Sequence, residues 1–552
     1  MDNKRGLIIR LAAVVFIAIL SVSGILVLGY HTFFPAKLTL MTASYINNRK
    51  LYDTLDKNIT LYEEKYIKPL LESTIQKEIT AGLNVDKELL SLFLPEGSAD
   101  EIRKHIRNIA LKYDHKIDME NKKQSVRIGL NYLLNPILTL RMSLEDKRFA
   151  VGIDELTNKT VTGNIKDLGS LSRFLPDTRF SGLWNYLENL DPWIVKEIME
   201  EVRIDRKDLK EVVVGYSRDI FKAIDPEDMT IKRSQATTVL DEEVKCHEIT
   251  IRLDGKDQRR LASVFLEKLK SNDAFYNLFY GNLNKYLSIL IQNPFFKDYF
   301  DSGELEDLFS KGSLLSAFEK ELDSIEKNPD ATIKIYIDGF DIVKYEVTTH
   351  INDDPEPFVI TNELRLKGCS FDLRMTAKGN LNGNGEFKFR ITRDYDEHND
   401  LSDLTMKFGL VQDDPDNMLN FSFSIDSKEE SAGKNEVGHT IDFTMKAESP
   451  ASLTDDMELK ITLDGTKIRN AKKQVIESDY DGDISISIPF MNPDHLSLGF
   501  YFKTESIYGE EFEIPEPDEV FDIKTATQEE FDQLIDEITS RLEALQQFLG
   551  AF

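Results

Sequence analysis

The chain is short of the residues on which much protein chemistry depends. Only two cysteines, Cys246 and Cys369, occur in 552 residues, which excludes a disulfide-dense scaffold. One bridge remains open. In the alternation of Lys245, His247, Ile249, Ile251 and Leu253, Cys246 takes the more polar parity, whereas Cys369 shares parity with Phe371, Leu373 and Met375. Those opposite faces argue against pairing. The eight histidines include no His-x-x-x-His pair, and Cys246 and His247 are neighbours in a strand pattern, so they point to opposite sides and do not readily hold one metal.

Positive charge is scarce as well. Lys and Arg number 68 against 97 Asp and Glu, for a formal charge of −29. The first thirty residues are locally +2 (Lys4, Arg5 and Arg10 against Asp2), which leaves −31 on the remainder. Such a field repels phosphate backbones, and no basic stripe with interleaved aromatics offsets it, so nucleic acid is not an expected partner.

Catalytic motifs are absent too. There is no nucleophile-elbow Gly-x-Ser-x-Gly and no phosphate-binding Gly-x-x-x-x-Gly-Lys. Ser324 and Lys327 have the spacing used by penicillin-recognising enzymes, but no Lys-Thr-Gly accompanies them. Carboxylates are too numerous for any pair to stand out as an acid and base. The denser acidic stretches, Asp413-Asp414-Pro415-Asp416-Asn417 and Asp479-Tyr480-Asp481-Gly482-Asp483, offer oxygen ligands to Ca²⁺, although neither completes an EF-hand loop and an Asp-Gly turn explains the second equally well. No catalytic, metal or cofactor-binding residue is therefore assigned, no cofactor is expected, and the chain is not expected to be an enzyme.

What the sequence does contain is a strong placement signal. Leu11 to Tyr30 is a twenty-residue run without a charge, about the length that a helix needs to cross the hydrocarbon core. The preceding Lys4, Arg5 and Arg10 keep the N-terminus in the cytoplasm by the positive-inside rule, so the bulk is expected outside it. Ser21-Val22-Ser23 would also serve a signal-peptide cleavage site, but the apolar run continues through Ile25-Leu26-Val27-Leu28, which favours an uncleaved single-pass anchor.

The rest is long enough for more than one core, and its composition (41% hydrophobic, 10% aromatic, 30% charged) is that of a folded protein. Leu51, Leu55, Ile59, Tyr62, Tyr66 and Leu70 recur at helical spacing. A first hairpin is expected near Val126 to Ile153, turning at Glu145-Asp146-Lys147, followed by a helical stretch from about Leu168 to Ala223 with Trp184 and Trp193. Strands resume near Met229 and end at Leu253, before the turn-forming pair Asp254-Gly255. Gln258 to Lys327 reads as aromatic helices broken at Pro294. Its rings are core residues or, alternatively, line an apolar site, for which Phe275, Phe279, Tyr286, Phe295, Phe296 and Phe300 are the candidates.

From Ala331 to Thr504 a period of two is sustained, as in Phe421-Phe423-Ile425 and Leu459-Ile461-Leu463, the mark of antiparallel strands with one buried and one wet face. After the linker around Pro515 and Pro517, Thr527 and Glu530 fit a capping box, and Phe531, Leu534, Ile535, Ile538, Leu542, Leu545 and Leu549 make one apolar stripe. The expected fold is α+β: an N-terminal transmembrane helix, then a large, curved, meander-type antiparallel sheet packed against helices. The expected divisions are a cytoplasmic N-terminus (1–10), a transmembrane anchor (11–30), a membrane-proximal helical segment (31–115), a mixed strand and aromatic helical region (116–330), a β-meander (331–510), and a linker with a C-terminal amphipathic helix (511–552).

The layout of the anchor, the passage from Ile249-Thr250-Ile251-Arg252-Leu253 into Leu261-Ala262-Ser263-Val264-Phe265-Leu266, the later meander and the acidic-proline linker resembles a group of Gram-positive bacterial proteins with one N-terminal membrane helix and a large exported β-rich region. The meander and the aromatic helices are also similar to lipoprotein carriers and related lipid-binding modules, whose antiparallel sheet cups helices around an apolar cavity. These resemblances imply a protein of the cell membrane, held by its anchor, that binds a lipid or other apolar ligand outside the cytoplasm. The alternative is a cell-envelope scaffold that binds another envelope protein; an exported hydrolase ranks third.

Overall fold

A computed structural model describes residues 35–92, 94–95, 97–174, 191–292, 310–325, 329–350, 356–380, 384–413, 419–433, 435–448, 457–470, 474–487 and 495–550. They fall into two compact units. Unit 1 is drawn from the stretch up to Leu55, Asp205–Leu278 and Lys311–Phe389; unit 2 is drawn from Asp56–Ile204, Phe279–Ser310 and the chain from Arg390 onward. Among the described residues no helix is long and apolar enough to cross a membrane; the expected anchor at 11–30 lies outside them.

The first strands belong to unit 2: β1 (Ile75–Val85), β2 (Ile109–Asp118), β3 (Lys123–Tyr132), β4 (Asn135–Glu145), β5 (Arg148–Ile153) and β6 (Lys159–Asn164). Unit 1 holds β7 (Met229–Val239), β8 (Glu242–Leu253), β9 (Ala331–Asp338), β10 (Asp341–Thr349), β11 (Phe358–Lys367) and β12 (Ser370–Asn380). After β13 (Asn384–Asp396), unit 2 resumes with β14 (Leu401–Asp413), β15 (Leu419–Gly433), β16 (Glu436–Glu448), β17 (Met457–Asn470), β18 (Val475–Ser487), β19 (His495–Tyr508) and β20 (Glu519–Asp522). The helices used below are α1 (Pro35–Tyr62), α2 (Gly255–Ser271), α3 (Lys311–Ile325) and α4 (Gln528–Gly550).

In unit 1, β7 to β12 pair in chain order, each antiparallel to the next. Ile249 and Ile251 of β8 stand opposite Ile335 and Ile333 of β9, and this face closes over Ala36, Leu40 and Ala43 of α1. Ile249, Ile251, Ile335 and Ile337 are at most 1% exposed, so this is a filled core. The other face of β8 is covered as well. Cys246, on the parity read from sequence as polar, is 1% exposed among Val239, Leu240, Tyr336 and Val343. Both cysteines are buried, and no disulfide joins them.

Asp254-Gly255 is the start of the helix itself rather than a turn ahead of it. The Asp254 carboxylate accepts from the Asp257 N–H at 2.9 Å and the Asp257 carboxylate from the Asp254 N–H at 3.3 Å, a reciprocal cap on α2. A carboxylate followed by a residue without a side chain suits either role, and only the helical periodicity after it separates the two.

In unit 2 the strand order is β14-β15-β16-β17-β18-β19-β1-β2-β3-β4-β5-β6-β20, antiparallel throughout except for the parallel pair β6 and β20. The segment 31–115 therefore supplies strand β1 and the start of β2 besides its helices, and the hairpin β4–β5, turning at Asp146, is not the first pairing. Trp193 is buried with Ile117 and Met119, and its indole N–H donates to the Asp146 carbonyl at 2.9 Å. Trp184 and Pro294 lie outside the described residues.

The terminal helix begins as its sequence predicts. The Glu530 carboxylate accepts from the Thr527 N–H at 2.8 Å, and Thr527 Oγ1 accepts from the Glu530 N–H at 3.2 Å. Leu534, Phe531 and Ile538 of α4 then pack on Phe174, Phe521 and Ile523, while Ile535 and Leu542 of the same stripe stay exposed.

Candidate functional site

Directly opposed residues in an antiparallel ladder share a face of the sheet. The strand registers of unit 2 therefore define cross-strand rows. Met406, Ile425, Phe443, Ile461, Ile484 and Leu498 form one, from β14 to β19. Phe408, Phe423, Met445, Leu459, Ile486 and Leu496 form the next. On the other side of the first row, Ile441, Leu463, Gly482 and Phe500 line up with Leu83 of β1. The apolar face continues beyond β1, where Ala81, Leu111, Leu130 and Leu138 are successive partners.

Gly482 has a specific reason to be glycine. A Cβ there would run into the Phe500 ring and lie 2.8 Å from Leu463, so its absence lets the aromatic side chain lie across the strand. The reverse face is polar: Lys407, Ser424, Thr444, Lys460, Ser485 and Ser497 are the matching partners there.

Unlike the isoleucines of unit 1, these apolar rows belong to no buried cluster among the described residues. Leu83 is 48% exposed, Leu111 46% and Ile486 37%. Contiguous apolar residues left partly open to solvent in this way mark a candidate ligand or interaction surface.

One end of the face changes character. Continuing along the strands from Ile441 and Leu463, the same side carries His439, Tyr480, Lys467 and Arg469. His439 Nδ1 lies 2.9 Å from the Tyr480 hydroxyl, and its Nε2 lies 3.1 Å from Ser427 Oγ. Burial lowers the pKa of His439 and raises that of Tyr480, which keeps both neutral near pH 7.

Around them lie Lys65, Arg393, Asp400 and Glu429, the last directly opposite His439 in the β15–β16 ladder. Arg469 pairs with Asp400 at 2.8 Å and with Glu429 at 3.7 Å, and Lys65 pairs with Asp400 as well. The Tyr395 hydroxyl donates to Asp400 at 2.7 Å, and Arg393 stacks over the Tyr395 ring and bonds Asn58. Burial pushes the Asp400 carboxyl up, but the hydrogen bonds from Lys65 and Tyr395 and the nearby positive charges outweigh it and hold the group below its ordinary value. Among the described residues, Lys65, Arg393, Lys467 and Arg469 therefore gather around Asp400 and Glu429 at this end.

Lys467 is the cation left over. Burial, then the neighbouring Arg469, lowers its pKa, and among the described residues it makes no hydrogen bond or ion pair. The sequence carried a signal for this end: Lys467 and Arg469 continue the parity of Leu459, Ile461 and Leu463, a basic pair terminating an apolar strand face.

The candidates named from the aromatic helices are placed differently. Phe275 packs in unit 1 against Phe265, with ring centroids 5.5 Å apart, and against Tyr216 at 6.0 Å; Phe265 also meets Phe318 of α3 at 5.6 Å. Phe279 and Tyr286 fall in unit 2, 53% and 39% exposed. Phe295, Phe296 and Phe300 lie outside the described residues.

Of the two acidic stretches, the first ends β14 at Asp413, and its residues 414–417 lie outside the described ones too. Asp479 to Asp483 is neither loop nor turn but the middle of β18, where Asp479 pairs with Lys503 at 2.7 Å and Asp483 accepts from Ser497 at 3.0 Å. In unit 1 the carboxylates of Asp225, Asp228 and Asp257 converge, but on the Arg260 guanidinium, which pairs with all three.

No family model matches the chain, and no curated protein matches it. Among solved structures, a BenF-like porin from Pseudomonas fluorescens Pf-5 is similar at 5% identity over 80% of this chain and 100% of that one. Its TM-score of 0.14 is too low to carry an argument about fold or function.

Proposed function

We propose that the chain is a membrane-anchored, extracytoplasmic, non-enzymatic binding protein that lays a lipid acyl chain or similar apolar ligand along the half-buried face of unit 2. The observation that carries this reading is the set of apolar rows from β14 to β19, in register and incompletely covered. The anchor at 11–30 and the curvature expected of the sheet belong to the same proposal.

Dimensions favour an acyl occupant. Leu463 to Met457 gives about 20 Å of strand at ~3.4 Å per residue. An acyl tail fills about 15 Å, half of a ~30 Å hydrocarbon core. Covering a tail removes apolar area on both partners, at roughly 0.8 kcal/mol per methylene, so a face of this length supports binding without any special chemistry. The sequence points to inward strand residues as well as the Phe275 to Phe300 region for such a lining; this reading uses the strands, and Phe275 serves in it as core.

The test is native mass spectrometry of the full chain purified in detergent, followed by organic extraction and lipid analysis, on the wild type, Phe443→Glu and Thr444→Glu. The two positions are neighbours on β16 with opposite faces. Bound lipid near unit occupancy in the wild type and Thr444→Glu, but lost in Phe443→Glu, is the expected result. A wild type free of lipid, or lipid retained equally by both variants, overturns the reading and favours the envelope-scaffold alternative.

A further inference from the structure

The acyl-binding reading leaves the charged end of the same face without a role, and the following step rests on that reading. We infer that this end receives the anionic headgroup of the bound lipid, with Lys467 as the cation that contacts it.

Charge makes the first argument. The chain as a whole is −29, yet Lys65, Arg393, Lys467 and Arg469 gather here against Asp400 and Glu429. Arg469 and Lys65 are committed to those two carboxylates, and Arg393 to Asn58 and the Tyr395 ring. Lys467 has no such commitment among the described residues. A half-buried ammonium beside other cations is costly unless an anion joins it, and a phosphate or carboxylate restores the balance with charge-assisted hydrogen bonds.

Position makes the second. Lys467 shares its face with Leu463 and Ile461 on the same strand, so a headgroup at Lys467 leaves its tail running over the apolar rows. Between the two lie His439 and Tyr480, neutral and hydrogen-bonded to each other. Row by row the face passes from Ile441, Leu463 and Gly482 through His439, Gly465 and Tyr480, with Glu429 opposite His439, to Val437, Lys467 and Ser478, so the apolar rows lead along β17 to Lys467 as the tail of an anionic amphiphile leads to its headgroup. The negative field elsewhere disfavours free anions at large and leaves this end as the place where one is accepted.

The experiment compares lipids with identical tails on the full chain in detergent: phosphatidylglycerol, which is anionic, and diacylglycerol, which is uncharged. Inorganic phosphate alone is the third probe. The wild type is expected to hold phosphatidylglycerol about tenfold more tightly than diacylglycerol. Lys467→Gln should erase that difference while diacylglycerol binding stays the same, and Lys467→Arg, which keeps the charge, should preserve it. The unchanged diacylglycerol affinity shows that the Gln variant is folded.

Equal affinity of the wild type for both lipids, or a preference untouched by Lys467→Gln, overturns the headgroup assignment and leaves the acyl reading standing. Binding of neither lipid overturns both. Thermal stabilisation by inorganic phosphate without any preference between the lipids assigns the site to a free anion and overturns the inference.

Discussion

Phe408 and Phe423 stand opposite each other in the β14–β15 ladder with ring centroids 5.2 Å apart and planes 13° from parallel. They open one apolar row of a face that is half-buried rather than closed. A stacked pair contributes roughly 0.5–1.5 kcal/mol beyond its area, so Phe423→Ala should lower the unfolding free energy by about 1–2 kcal/mol. Ile251→Ala, in the filled core of unit 1, should cost about 2–5 kcal/mol. Urea unfolding of both variants checks this. Equal costs would mean that Phe423 lies in a closed core and that the face is not available to a ligand.

Glu363 of β11 is a buried carboxylate with a full set of partners. It accepts from the Leu240 N–H at 3.2 Å and pairs with Lys344 at 3.5 Å and Arg374 at 3.3 Å. Glu363→Gln keeps the shape but removes the charge that offsets two cations, one of them nearly as buried. The expected destabilisation is on the order of 3 kcal/mol, far more than an exposed pair would give. A loss below about 1 kcal/mol in denaturant titration would show that water already screens these groups.

Cys246 sits in the second core of unit 1, and burial raises its thiol pKa, the reverse of what a reactive cysteine needs. Cys369 is buried as well. Neither thiol should react with iodoacetamide at pH 7.5 in the native protein, and both should do so in denaturant. Intact mass should not change with reductant before denaturation. Rapid native labelling of Cys246 would show that the β7–β8 end of the sheet opens.

Much of this architecture was legible because strands announce themselves through parity. Ile333-Ile335-Ile337 and Leu459-Ile461-Leu463 read identically in sequence, and both became strands with one apolar face. Parity does not say what covers that face. Ile335 is sealed beneath α1, a helix three hundred residues away in sequence, whereas the partners of Leu459 leave Ile486 in view of solvent. Strand β1 was hidden for a related reason. Its apolar series Ile79, Ala81, Leu83 and Val85 is short and weak, and it is held as a strand by pairing with β19, more than four hundred residues later. The charged end shared this obscurity, since Lys65, Asp400 and Arg469 are brought together only by the fold.

Two half-buried histidines of unit 2, His439 and His115, give the protein a pH dependence of defined sign. Burial lowers the pKa of His439 and of His115, whose Nε2 lies 3.0 Å from Gln124 Nε2. In the unfolded chain both return to about 6.5. The unfolded state then binds more protons than the folded one, so stability rises with pH in this range. Their contribution is complete above the unfolded value and is lost as pH falls through the lowered folded values. The unfolding free energy of unit 2 should therefore decline between pH 7 and pH 5. His115→Gln combined with His439→Gln should flatten that decline, because glutamine does not titrate, even if the variant is less stable at pH 7. Denaturant unfolding across the window, followed by tryptophan fluorescence, provides the measurement. A decline as steep in the double variant as in the wild type would move the origin of the acid sensitivity to other groups.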